Sequence, residues 1–95
     1  MNPPIAQSAE SIYINMHSAN PRAVANATMR ILDSLQKEPE DIQLAASGVI
    51  LLTLSCRFDI PPATVLNCVD NLMRESKRYD DATFKAVAEY FKNEL

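Results

Sequence analysis

The sequence predicts an all-α protein that forms a single domain over residues 1–95. Apolar residues recur at intervals of three and four, which is the period of a helix. Prolines stand at positions 3, 4, 21, 39, 61 and 62, each where a helix could begin, because the first turn tolerates a missing N–H group. The chain has 95 residues, 47% of them apolar, which suits one small core and leaves no room for two. We therefore expect a compact domain of five helices.

The first two helices are predicted at residues 4–16 and 21–35. The first places Ile12, Tyr13 and Met16 on one apolar stripe. Asn20 is expected to cap the second helix, with Pro21 at its first helical position. These two residues mark the start of the second helix.

The third helix is predicted at residues 40–57, and its composition places it at the centre of the domain. From Leu44 to Leu54 it is apolar on nearly all sides, which is typical of a helix that other helices surround. This run of eleven residues is shorter than the roughly 20 residues that a bilayer requires. We expect no membrane contact.

Gly48 is the only glycine, and in a helix interior it costs about 1 kcal/mol relative to alanine. A reason in packing is therefore expected. The preferred interpretation is a close crossing of two helices within the chain, where Ala45 and Ser47 lie beside the glycine. The alternative is a homodimer seam that uses Ala45 and Gly48, and the two interpretations are compatible.

The fourth helix is predicted at residues 61–77, and the fifth follows an N-cap at Asp80. Short connections make consecutive helices neighbours. The residues expected to be buried in one core are Val24, Ile31, Leu35, Leu51, Leu54, Val65, Val69, Leu72, Phe84 and Val87.

The charge of the chain argues against several classes of function. Twelve acidic and nine basic residues give a formal charge of −3, which disfavours non-specific binding to nucleic acid. A single glycine is too few for a loop that cradles phosphates. The first residues do not read as a secretory signal, and two cysteines suit a reducing compartment. We expect a cytoplasmic protein.

Candidate catalytic groups are few. With one histidine and two cysteines, Cys and His alone cannot form a four-ligand zinc site. His17 is expected at the end of the first helix, where the helix dipole favours a cation. Nothing in the sequence places His17 beside Cys56 or Cys68 as a nucleophilic pair. No catalytic, metal-binding or cofactor-binding residue is predicted, and we expect the protein not to be an enzyme.

Residues 54–72 resemble a helix-turn-helix, through Ser55, Ile60, Thr64, Val65, Val69 and Leu72. The resemblance implies a DNA-binding regulator that uses residues 54–78. Asp59 replaces the usual glycine of the turn, and the fourth helix begins without a basic residue that could read a base edge. The residues that this resemblance implies for DNA contact are Thr64, Asn67, Arg74, Lys77 and Arg78.

By elimination, we expect an acidic interaction module that binds another protein, as an adaptor, an inhibitor or a subunit of an assembly, with self-association as a further expectation. Tyrosine, phenylalanine and methionine are enriched in protein interfaces. The residues expected to contact the partner are Ile12, Tyr13, Met16, Tyr90 and Phe91.

Overall fold

The structure, a computed structural model, describes residues 8–78 and 83–94, without the side chains of residues 76–78, 83, 86, 90, 91, 93 and 94. Within that part of the chain there are five α-helices and no strand, which confirms the all-α prediction. The helices form a single globule of 38 × 33 × 31 Å. They are α1 (Ala9–His17), α2 (Pro21–Leu35), α3 (Glu40–Phe58), α4 (Pro62–Arg78) and α5 (Thr83–Glu94).

Side-chain caps set the starts of the first two helices. The Oδ1 atom of Asn20 accepts hydrogen bonds from the amides of Arg22 at 2.9 Å and Ala23 at 3.4 Å, as predicted for an N-cap. Ser8 has extended backbone, and its Oγ accepts from the amide of Ser11 at 3.1 Å. The first helix therefore begins at Ala9, and the prediction that it begins at residue 4 is wrong.

A tight turn joins α3 to α4. Asp59 adopts the left-handed conformation with φ 57° and ψ 43°. The amide of Asp59 donates to the carbonyl oxygen of Cys56 at 3.4 Å, and that of Ile60 donates to Ser55 at 3.1 Å. This pair of bonds is a Schellman motif, which satisfies carbonyl groups at the end of a helix. The predicted N-cap of α5, Asp80, lies outside the described residues.

The centre of the globule is α4, which contacts each of the other four helices. Cys68 and Leu72 on α4 are buried, together with Ala25 on α2 and Ile60 in the turn. Ser55 is the buried residue of α3. The predicted central position of the third helix is therefore not observed. An apolar helix is buried only when other helices pack on every side of it. Among the described helices, α3 packs chiefly against α4, so most of its surface is left uncovered.

The predicted core is confirmed at Leu72 and wrong at Ile31 and Leu54, which are exposed. Leu54 is exposed because it belongs to the uncovered helix α3. The remaining predicted core residues are half-buried, and these are Val24, Leu35, Leu51, Val65, Val69, Phe84 and Val87.

Candidate functional site

Apolar side chains that no other described helix covers lie on several sides of α3, and they include Ile42, Ile50, Leu54 and Phe58. One set of exposed side chains falls within a sector of about 140° around the helix axis, at 3.6 residues per turn. The buried side chain of Ser55 lies in the same sector. The exposed fraction is 76% for Leu44, 63% for Val49 and 60% for Leu52. We call this surface the α3 stripe, and its members, all exposed, are Leu44, Ala45, Gly48, Val49, Leu52 and Cys56.

Gly48 lies at the middle of the α3 stripe and faces open space. Apart from the two neighbouring residues and the helix's own backbone, no atom of the described chain lies within 4 Å of the position that a Cβ atom would occupy there. The preferred interpretation, a close helix crossing within the chain, is therefore wrong at Gly48. The glycine costs helix stability without serving any packing contact inside the described chain. Contact with a second molecule is the alternative explanation for this residue.

No large side chain of the described residues is fully buried.

Charge is confined to the two ends of α3. Glu40 and Asp41 lie in its first turn, and Glu38 precedes it. Arg57 lies in the last turn, with its guanidinium carbon 5.6 Å from the ring centroid of Phe58. No charged residue stands between Asp41 and Arg57 in the sequence. The middle of the helix therefore offers only apolar and small polar groups to a binding partner.

By length and composition, α3 also meets the criterion for a membrane-crossing helix among the described residues. It has 19 residues and a mean hydropathy of 1.3, and 6% of its apolar window is buried. The run of eleven residues from Leu44 to Leu54 is too short to cross a bilayer, whereas the helix itself is longer. This criterion measures length and composition only. An alternative to a protein partner is therefore a lipid surface in contact with α3, and binding to vesicles tests it.

The predicted contact residues of α1 differ in how far they are exposed. Ile12 and Met16 are half-buried, while Tyr13 is exposed. The Tyr13 ring packs edge-on against His17, with centroids 4.6 Å apart and an interplanar angle of 82°. Tyr13 is therefore the part of the predicted α1 surface that a partner can reach. Tyr90 and Phe91 lie in α5, but their side chains are outside the described part of the chain.

His17 and Cys68, which the sequence could not place together, line one small open cavity between α1 and α4. Its volume is about 240 Å³, and Asn71, Leu72, Arg74 and Glu75 complete the lining. Cys68 is only 3% exposed, so a substrate cannot reach its thiol as the helices stand. Among the described residues, no group of three potential metal ligands occurs. The cavity therefore holds no accessible thiol among the described residues.

The residues implied in DNA contact do not form a basic surface within the described chain. Thr64 is half-buried and Asn67 is exposed on α4. Arg74 Nε lies 3.1 Å from Asp70 Oδ2, with both side chains largely exposed, so the charge of this arginine is offset by its neighbour. The side chains of Lys77 and Arg78 lie outside the described residues.

The sequence alone does not distinguish the α3 stripe from a buried helix, because both have the same apolar pattern. Comparison of the chain with protein-family models, with curated proteins and with solved structures finds no match. The geometry of this surface is therefore the basis for a proposed function.

Proposed function

We propose that this protein is a non-enzymatic protein–protein interaction module and that the α3 stripe is its docking surface. The observation that supports this proposal is the exposure of Leu44, Val49 and Leu52 on one helix face. Burying one such side chain is worth about 1.5–3 kcal/mol. Contiguous apolar patches of more than a few hundred Å² typically mark interaction sites on soluble proteins.

The composition of the α3 stripe indicates what kind of surface would bind it. Its middle carries no charge and no hydrogen-bonding side chain other than the thiol of Cys56, so a partner must supply apolar area. A helix of 19 residues is about 28 Å long, which suits a second helix or an apolar groove. The acidic residues Glu38, Glu40 and Asp41 lie at one end, where a partner is expected to be neutral or basic.

The thiols support a proposed location in the cytoplasm. Cys56 and Cys68 are both free, and Cys56 is exposed on the α3 stripe. Reducing compartments keep such thiols unpaired. In an oxidising compartment an exposed thiol on a docking surface would be open to disulfide formation with other molecules.

Site-specific photo-crosslinking in cells tests the docking surface. A photoreactive amino acid replaces Val49 on the stripe, and Asn26, which is exposed on α2, is the matched control position. We expect a discrete protein adduct from position 49 and none from position 26. Adducts of equal yield at both positions, or no protein adduct from position 49, would contradict the proposal.

DNA binding is a second candidate, and the geometry of the α3–α4 turn supports it. Asp59 adopts the left-handed conformation that the usual glycine of a helix-turn-helix provides, so its side chain does not prevent the turn. Of the six residues that carry the resemblance, Ser55, Ile60 and Leu72 are buried, and Thr64, Val65 and Val69 are half-buried. These positions are equally required by any helical hairpin, and the exposed face of α4 offers Asn67 and a paired Arg74. Protein docking remains the better supported proposal.

A further inference from the structure

We draw no further inference here: the strongest candidate, the exposed apolar surface of α3 around Leu44, Val49 and Leu52, carries nothing beyond the proposed function because nothing in the structure shows what covers it.

Discussion

The backbone amide of Ile60 donates to the carbonyl oxygen of Ser55 at 3.1 Å, across the end of α3. This bond requires Asp59, which lies between the two residues, to adopt a positive φ of 57°. Ile60 then enters the core beside α4 and is 6% exposed. This turn sets the path of the chain from α3 into α4.

Replacing Asp59, the left-handed residue of the turn, by glycine is expected to stabilise the protein. A non-glycine residue in this conformation carries a steric cost, which is smaller for Asp than for most residues, and glycine carries none. We expect Asp59→Gly to raise the free energy of unfolding by about 0.5–1 kcal/mol, measured by urea denaturation. Asp59→Val is the matched control and should be destabilising by more than that. A lower stability of Asp59→Gly would show that the carboxylate has a stabilising role of its own.

Ser55 buries a hydroxyl group for which the described chain supplies no hydrogen-bond partner. A buried, unsatisfied polar group costs about 1–3 kcal/mol. We therefore expect Ser55→Ala to be stabilising by about 1 kcal/mol, because it removes the hydroxyl and leaves the turn bonds to the Ser55 carbonyl oxygen in place. A change of this size is visible as a rise in Tm by calorimetry. A fall in Tm would reveal a partner for the hydroxyl in solution.

Comparing alanine variants of Leu72 and Leu54 tests whether α4 is in the core and α3 is exposed. Leu72 is 9% exposed on the central helix α4, whereas Leu54 is 47% exposed on α3. We expect Leu72→Ala to cost about 2–4 kcal/mol in the free energy of unfolding and Leu54→Ala less than about 0.5 kcal/mol. Both values come from chemical denaturation at low protein concentration. Equal costs would mean that α3 is packed into the core.

Retention on duplex DNA tests the second candidate function. Neutralising Arg74, Lys77 and Arg78 together removes the basic residues that the helix-turn-helix resemblance implies for phosphate contact. If the chain binds DNA, the slope of affinity against salt should fall by about one unit for each phosphate that the variant no longer neutralises. We expect no salt-dependent retention in either protein, measured on a DNA column. Specific binding that disappears in the triple variant would establish DNA recognition.

The local features of the fold were predictable because they depend on a few adjacent residues. The N-cap at Asn20 and the helix start at Pro21 follow from side-chain geometry within three positions. The turn between the third and fourth helices, predicted between residues 57 and 61, is observed between Phe58 and Pro62. Such features involve short-range contacts that the rest of the chain does not alter.

The candidate site could not be predicted, because its position depends on which surfaces the rest of the chain leaves uncovered. The run from Leu44 to Leu54 has the composition of a buried helix, and burial by its own chain or by another molecule requires the same residues. The sequence identified Gly48 and Ala45 as a close-contact patch, for which a crossing within the chain was the preferred interpretation. Only the open space around Gly48 removes that interpretation.

The two cysteines are expected to react with a thiol reagent at very different rates. Cys56 is exposed on the stripe, while Cys68 is 3% exposed beneath α1. A thiol reagent should modify Cys56 at once in a free chain, and Cys68 only as often as the helices around α4 open. The slow rate thus reports the free energy of local opening, and the fast rate reports how much of the α3 surface is covered. Occupancy of that surface can be followed in the unmodified sequence, without an attached dye.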